Sequence, residues 1–220
     1  MTPDLAFQAS LLDGGPPSVD PSFTGLQRVA LDETSWVDHV PGWLSGSDVV
    51  FGDLLSTGKF VQRDRMMYDR RVPDPRLTAG WSTDPTDGEL PAILPAMTTP
   101  LSARYGVVFD RIWVNLYRDG QDSVAWHGDR NAKVHLNPLV ATVSLGARRR
   151  FLLRPRGGGP ARHVFTPGHG DLIVMGGACQ HNWEHTVPKS TQAVGPRMSV
   201  TIRHSQGELL PEAPRTLDAD

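Results

Sequence analysis

A histidine and an aspartate stand two positions apart in the segment Trp126-His127-Gly128-Asp129. In an extended segment, side chains at positions i and i+2 project from the same face. An imidazole and a carboxylate that converge on one point suit a first-row metal ion such as Fe(II). Such a pair also arises by chance, so the prediction of a metal site depends on a third ligand from elsewhere in the chain.

His185 is the candidate for this third ligand. It follows the short apolar run Leu172 to Met175, which is expected to be a buried strand that ends at a polar opening. Together with His127 and Asp129 it would place two imidazoles and one carboxylate on one face of a metal ion, leaving three coordination positions open. His181 competes for the same role, and the alternative for His185 is a hydrogen-bonded core histidine.

The segment Arg197 to Arg203 alternates between polar and apolar residues with a period of two, which predicts a strand. If its polar face turns inward, two guanidinium groups and two hydroxyls are buried, and unpaired buried charges are costly. An anionic ligand is then expected, and the planar guanidinium fork favours a carboxylate. If the face turns outward, the arginines are merely solvated. The polar face consists of Arg197, Ser199, Thr201 and Arg203.

The composition limits the classes of protein to which this chain can belong. With 220 residues, 39% of them hydrophobic, the chain can bury one full core. It carries 22 basic and 24 acidic residues, so no global field draws it to duplex DNA or anionic lipid, and any nucleic-acid contact must be local. The single Cys179 excludes an internal disulfide and favours a reducing compartment. Without an apolar membrane span or a signal peptide, a cytoplasmic protein is expected.

Short β-type runs separated by turn residues follow one another from Val107 onward, and their spacing predicts a β-sandwich or barrel. Before them, a helix is predicted over Ser45 to Ser56, with Ser45 or Ser47 as its N-cap and Gly58 after its end. A second, short helix is predicted near Ile93 to Met97. The predicted strands are Ile112 to Tyr117, Ala141 to Leu145, Arg150 to Arg154, His163 to Thr166, Leu172 to Met175 and Met198 to His204.

In this order and spacing, the motifs resemble those of the AlkB-like Fe(II)/2-oxoglutarate-dependent dioxygenases, and the first 45 residues look like the leader of a bacterial branch. The resemblance covers roughly Val72 to His204 and is specific as a set, although the HxD motif alone is common. The motifs that carry it are Asn115-Leu116-Tyr117, Trp126-His127-Gly128-Asp129, Val143-Ser144-Leu145-Gly146, Gly170-Asp171-Leu172-Ile173-Val174-Met175, Trp183-Glu184-His185 and Arg197 to Arg203.

The resemblance implies a mainly β fold with flanking helices: a double-stranded β-helix, or jelly roll, with an N-terminal extension and a nucleotide-recognition lid. On this reading residues 1–45 form the extension, 46–100 the helix and lid elements, 101–206 the jelly-roll core and 207–220 a tail, and residues 46–206 are one catalytic domain.

The resemblance also implies a cofactor set and a reaction. His127, Asp129 and His185 match the Fe(II) ligands, and Arg197 matches the arginine that holds the distal carboxylate of 2-oxoglutarate. With O2, such an enzyme converts 2-oxoglutarate to succinate and hydroxylates an N-methyl group, which leaves as formaldehyde. The residues expected to contact 2-oxoglutarate, by resemblance or by the alternation of the last strand, are Asn115, Tyr117, Arg197, Ser199, Thr201 and Arg203.

Three residues are candidates for substrate binding. Trp81 resembles a lid tryptophan that stacks on a flipped base, although an ordinary core tryptophan is the alternative, and Tyr68 could line the same pocket or simply pack. Asn131 stands where well-known repair members carry a carboxylate, and an amide cannot offset the charge of a methylated adenine or cytosine. The basic segment Arg148 to Arg156 is expected on the solvated surface, with phosphate contact as the alternative.

The favoured function is oxidative demethylation of N-alkylated bases in nucleic acid, of the DNA or RNA repair type. A single-stranded substrate is expected, because an unpaired base is the easiest to extrude. The first alternative keeps the iron chemistry but takes a small molecule, lipid or protein side chain as the substrate. The second is a non-catalytic jelly-roll binding module with a vestigial metal site. A monomer without membrane contact is expected.

Overall fold

The computed structural model describes residue 5 and residues 14–67, 70–82, 91–129 and 133–207. These residues form fifteen strands and three helices. The strands are β1 Ser18–Val19, β2 Gln27–Ala30, β3 Ser35–Val40, β4 Leu44–Ser45, β5 Asp64–Met67, β6 Arg70–Pro73, β7 Leu77–Ser82, β8 Phe109–Tyr117, β9 Val124–His127, β10 Val140–Gly146, β11 Phe151–Pro155, β12 His163–Phe165, β13 Leu172–Gly177, β14 Trp183–Val187 and β15 Arg197–His204. The helices are α1 Ser47–Thr57, α2 Ile93–Tyr105 and α3 Cys179–Asn182.

Two antiparallel sheets face each other across an interior layer. The major sheet has the strand order β2-β3-β13-β10-β15-β8-β7, and the minor sheet has the order β12-β11-β14-β9. All six strands predicted from Ile112 onward lie in these two sheets. The expectation of a mainly β jelly roll with flanking helices is confirmed. No described helix is long and apolar enough to cross a membrane.

The core is divided into two clusters by the major sheet. On its outer face, Val200 and Ile202 of β15 pack with Phe51 of α1 and Leu94 of α2. On its inner face, apolar residues of both sheets pack against each other, among them Met175 of β13. Because side chains alternate along a strand, the apolar side of β15 meets the helices and its polar side turns toward the minor sheet. Of the two orientations considered for the polar side, the structure therefore shows the inward one.

Part of the expected N-terminal extension belongs to the major sheet. β3 pairs antiparallel with β13 along its whole length, and β2 pairs on its far side. Asp38 interrupts the apolar pattern of β3, which hides this strand in the sequence. Its buried carboxylate accepts hydrogen bonds from Arg28 at 2.6 and 2.7 Å, and this pairing allows the charge to lie in the sheet.

The first helix has almost its predicted bounds, but its predicted N-cap is wrong. Gly46 is the N-cap and has a positive φ of 65°, and no side chain caps the helix. The Ser47 hydroxyl donates instead to the carbonyl of Leu44 at 2.7 Å. A Cβ atom at position 46 would lie 2.6 Å from the carbonyl oxygen of Gly15, so both the backbone conformation and the space require glycine here.

The second helix is longer than its prediction and runs on to Tyr105. In the sequence, Pro95 and Pro100 both favour an interruption of the helix. Pro95 lies in the first turn, where its missing N–H costs nothing. Pro100 is tolerated inside the helix because Met97 and Leu101 are fully buried against the outer face of the major sheet.

Candidate metal centre and active site

Two paired strands of the minor sheet bring the predicted metal ligands together. His127 ends β9 and lies opposite His185 of β14, and Asp129 follows two residues later. One ligand atom from each of the three residues lies within 4.8 Å of the others. His181 is not part of this group, because its Nε2 contacts the carbonyl oxygens of His135 and Leu136 at 3.0 Å. Between the two histidines considered for the third position, the geometry therefore selects His185.

The turn of the HxD motif is held by α3. The backbone N–H of Asp129 donates to Oε1 of Gln180 at 2.8 Å. Arg156 donates to the carbonyl of Gln180 at 2.8 Å. A Cβ atom at position 128 would lie 2.9 Å from the backbone carbonyl oxygen of Gln180, which favours glycine between the two ligands. The short helix α3 thus fixes the position of Asp129 directly after β9.

The protonation of Asp129 and His185 and the orientation of the His127 ring suit a divalent metal ion. Nδ1 of His127 lies 2.8 Å from the carbonyl oxygen of Ala125 and donates to it, which leaves Nε2 as the ligand atom. Burial raises the pKa of Asp129, but Arg203, His185 and His127 outweigh it and lower that pKa to about 2. Burial and the neighbouring His127 lower the pKa of His185 to about 3. The group is therefore a carboxylate with neutral imidazole, the state that binds a metal.

The carboxylate of Asp129 has one held and one open oxygen. Nη2 of Arg203 donates to Oδ1 at 2.5 Å. Oδ2 is buried and has no hydrogen-bond partner within the described part of the chain, and it lies 4.0 Å from Nε2 of His185. An orphaned anionic oxygen beside two imidazoles fits Fe(II), which would satisfy it.

A buried guanidinium lies on the same polar face of β15. Arg197 is 1% exposed, and its Nε donates to the Ser144 hydroxyl at 3.1 Å. Its Nη1 has no hydrogen-bond partner among residues 14–67, 70–82, 91–129 and 133–207. Burial lowers the pKa of Arg197, while Tyr117, whose ring centre is 5.3 Å from its Cζ, raises it. This free donor fits a ligand carboxylate such as that of 2-oxoglutarate.

A cavity of about 280 Å³ joins these two halves of the site. Arg197 lies against Tyr117, which lines this cavity. The structure therefore brings the predicted metal ligands and the predicted 2-oxoglutarate residues other than Arg197 to this cavity, with Arg197 behind Tyr117, and their individual roles stay predictions. The predicted residues that line the cavity are His127, Asp129, His185, Asn115, Tyr117, Ser199, Thr201 and Arg203.

Two further residues of the cavity are missed by the sequence reasoning. Arg76 donates from Nε to Oδ1 of Asn115 at 3.0 Å, and its Nη1 is buried without a partner in the described segments. Arg76 follows Pro75 just before β7, where no periodicity points to it. Trp113 also lines the cavity. It alternates with Asn115 and Tyr117 on β8, so the period of two could have identified it.

Trp81, the one predicted substrate residue in the described part of the chain, does not line this cavity. Trp81 pairs with Ile112 in the register of β7 and β8, and both side chains pack toward the helices on the outer face. The half-buried indole of Trp81 lines a neighbouring groove instead. Tyr68 and Asn131 lie outside the described residues. Binding of the target base by these three residues remains a prediction.

Much of the basic segment Arg148 to Arg156 is engaged within the protein. Arg149 is buried and donates to the carbonyls of Asp119, Asp122 and Pro188. Arg154 pairs with Glu184 at 2.9 Å, and Arg156 is bound to α3. These three guanidinium groups stabilise the minor sheet and its loops, so their presence in the sequence does not mark a phosphate site.

Comparisons with known proteins agree with the geometry. Residues 47–203 match the profile of the 2OG-Fe(II) oxygenase superfamily. The alpha-ketoglutarate-dependent dioxygenase alkB homolog 3 of Bos taurus is 31% identical over 205 residues, which cover 82% of this chain and 67% of that protein. The DNA oxidative demethylase ALKBH2 of Bos taurus is 32% identical over 118 residues, which cover 50% of this chain and 41% of that protein.

Solved structures with the same fold have more distant sequences. The structure of OsALKBH1 has a TM-score of 0.57 at 14% identity and covers 81% of this chain and 100% of that chain. An oxidoreductase of the 2OG-Fe(II) oxygenase family from Burkholderia pseudomallei has a TM-score of 0.52 at 18% identity and covers 76% of this chain and 82% of that chain. At these identities the likeness establishes the jelly-roll fold alone.

Proposed function

Because this chain belongs to the 2OG-Fe(II) oxygenase superfamily, as one of its AlkB-like members, we propose that it oxidatively demethylates N-alkylated bases in nucleic acid. The observation that carries this proposal is the group His127, Asp129 and His185, which opens into the same cavity as the predicted 2-oxoglutarate residues. Fe(II), 2-oxoglutarate and O2 together supply the oxidising chemistry that hydroxylates a C–H bond. An N-hydroxymethyl group then releases formaldehyde and restores the base.

The contribution of the protein to this reaction is position and charge. Asp129 offers one oxygen to the metal because Arg203 holds the other. Arg197 presents a fixed, water-excluded donor to a carboxylate of the cosubstrate. Arg76 orients Asn115 at the cavity wall. These residues are held by strands of two sheets, so the site is organised before any ligand binds.

The finer features of the function are also proposals. We propose a single-stranded substrate, a monomeric enzyme and a cytoplasmic role in the repair of alkylated DNA. The relatives named DNA oxidative demethylases support DNA as the substrate. A net charge of -2 supports a preference for single strands, because a weakly charged protein gains little from a long duplex and an unpaired base costs the least to extrude.

The test is a panel of oligonucleotides that each carry one N-methylated base, offered as single strands and as duplexes. With Fe(II), 2-oxoglutarate and O2, mass spectrometry should record loss of the methyl group, with formaldehyde and succinate in equal amounts. Faster turnover of the single strands would support the strand preference. Consumption of 2-oxoglutarate without formaldehyde from any oligonucleotide would transfer the proposal to a small molecule, lipid or protein side chain. Failure to bind either Fe(II) or 2-oxoglutarate would favour a non-catalytic module.

A further inference from the structure

A second groove, of about 460 Å³, lies beside the catalytic cavity at β7, the edge strand of the major sheet. The cavity and the groove share four lining residues, so the two spaces are adjacent. A polymer whose target unit enters the cavity would therefore pass its neighbouring unit along the groove. The shared residues are Arg63, Thr78, Trp113 and Arg203.

The groove is positively charged although the whole chain is not. Its lining includes Lys59, Arg63, Arg111 and Arg203, and no carboxylate is among its lining residues in the part of the chain that the structure describes. Lys59 and Arg63 are exposed to solvent, whereas Arg203 is bound to Asp129. The groove is thus a local site of positive potential, which favours an anion.

Two indole rings, which project from opposite faces of the major sheet, line the groove. The Arg63 guanidinium lies over the ring of Trp113 at 4.5 Å. Gly80 lies against the same ring, where a Cβ atom would be 2.6 Å from a ring carbon. Trp81, the next residue of β7, lines the groove as well. The absence of a side chain at Gly80 lets the Trp113 ring lie on the backbone of the edge strand.

We propose that this groove binds the nucleotide next to the target base in the same single strand. Proteins that hold single strands combine a cationic groove for the phosphates with aromatic rings on which bases stack. Here Lys59 and Arg63 would meet the phosphate and the half-buried Trp81 would meet the base, while Trp113, whose ring contacts Arg63 and Gly80, would form part of the wall. The occupant is a single strand because the bases of a duplex remain stacked on one another. This inference rests on the proposed function.

The binding test uses a fluorescein-labelled, unmethylated, single-stranded pentanucleotide and the Lys59→Ala variant at several salt concentrations. Losing one phosphate contact should reduce the slope of log affinity against log salt by about 0.7. The matched control is Arg162→Ala, which removes one exposed charge from a position that lines neither space. An unchanged slope in Lys59→Ala, or an equal decrease in both variants, would overturn the proposal.

The activity test compares a methylated pentanucleotide with the corresponding methylated mononucleotide. Lys59→Ala and Trp81→Ala should lower kcat/KM on the pentanucleotide, roughly tenfold for the lost stacking, and should change it little on the mononucleotide. Equal losses on both substrates would place Trp81 at the target base and contradict the groove assignment. If the wild-type protein demethylates neither substrate, the proposed function fails, and the binding test with the unmethylated strand still decides the role of the groove.

Discussion

At the scale of single residues, the environments of charged atoms distinguish binding groups from structural ones. Arg149 and Arg197 are both buried, but the donors of Arg149 meet three carbonyls, while Nη1 of Arg197 meets no partner within the described segments. Oδ2 of Asp129 is likewise buried and has no hydrogen-bond partner in these segments. Because orphaned buried charge is costly, these atoms mark where ligands bind.

The first prediction concerns the metal ligands. Replacing His127 or His185 by Ala should abolish Fe(II) binding and succinate formation, because each change removes one of three ligands. His181→Ala is the matched control and should retain both, since its ring contacts backbone carbonyls. Metal titration and succinate assays measure the two properties. Retention of iron in His185→Ala together with its loss in His181→Ala would reverse the assignment.

The second prediction concerns Arg197. Arg197→Lys keeps the charge but loses the planar fork, so 2-oxoglutarate should bind more weakly while iron affinity changes little. Arg197→Ala should weaken 2-oxoglutarate binding more, by about 2 kcal/mol or more, because a ligand carboxylate would then be unpaired. Calorimetric titration with the metal-loaded protein measures both variants, and the exposed Arg150→Ala serves as a control. Equal affinity in Arg197→Ala and wild type would remove Arg197 from the cosubstrate site.

At the scale of elements, Arg149 connects the two strands that carry the metal histidines. It donates to the backbone carbonyl oxygens of Asp119 and Asp122, in the loop before β9, at 2.8 and 2.9 Å. It also donates to Pro188, directly after β14, at 2.6 Å. Those strands pair through Val124 and Val187 as well as through the two histidines. The guanidinium thus holds together the ends of both ligand-bearing strands.

The third prediction follows from this connection. Arg149→Met should lower the free energy of unfolding by about 2 to 4 kcal/mol, because three carbonyls lose a charged donor. It should also weaken Co(II) affinity, because the strands beneath His127 and His185 are less firmly held. Urea denaturation and Co(II) titration measure the two effects. Arg150→Met, one residue away and exposed, should change neither the free energy of unfolding nor the Co(II) affinity. Equal effects of Arg150→Met and Arg149→Met in both assays would contradict the role of Arg149 in holding the two strands.

The sequence predicts best where a local pattern and the tertiary role agree. The alternation of β15 identified its polar face because the period of two persists over the whole strand. The full length of α2 was not predicted because its prolines oppose a helix, and packing on the major sheet compensates for them. The strand β3 was not predicted because Asp38 interrupts its apolar pattern, and the ion pair with Arg28 compensates for the buried charge. Arg76 was not predicted either, because its role depends on a long-range contact with Asn115, which is 39 positions away. Trp81 was placed in a lid by resemblance, and only the pairing of β7 with β8 reveals its face.

At the scale of the whole molecule, the near-neutral chain places several charged side chains around the catalytic cavity. The net charge is -2, and the catalytic cavity is lined by three arginines, Arg63, Arg76 and Arg203, and by two aspartates, Asp74 and Asp129, which pair with Arg76 and Arg203. Among the described residues, the lining thus has one more cation than carboxylates, and together with the buried Arg197 beside Tyr117 it favours an anionic ligand. A metal ion and a dicarboxylate would neutralise the buried charges of Asp129 and Arg197.

The last prediction tests this coupling between ligands and the stability of the fold. Mn(II) in place of Fe(II) should raise the unfolding temperature, and 2-oxoglutarate should raise it further. Each ligand at 100 times its dissociation constant contributes about 2.7 kcal/mol, or roughly 5 to 10 °C for a chain of this size. EDTA should remove both increments, since 2-oxoglutarate binds through the metal. In Arg197→Ala the Mn(II) increment should persist while the 2-oxoglutarate increment largely disappears. A 2-oxoglutarate increment that survives both EDTA and Arg197→Ala would mean that the dicarboxylate binds elsewhere, and the buried donor of Arg197 would then need another partner.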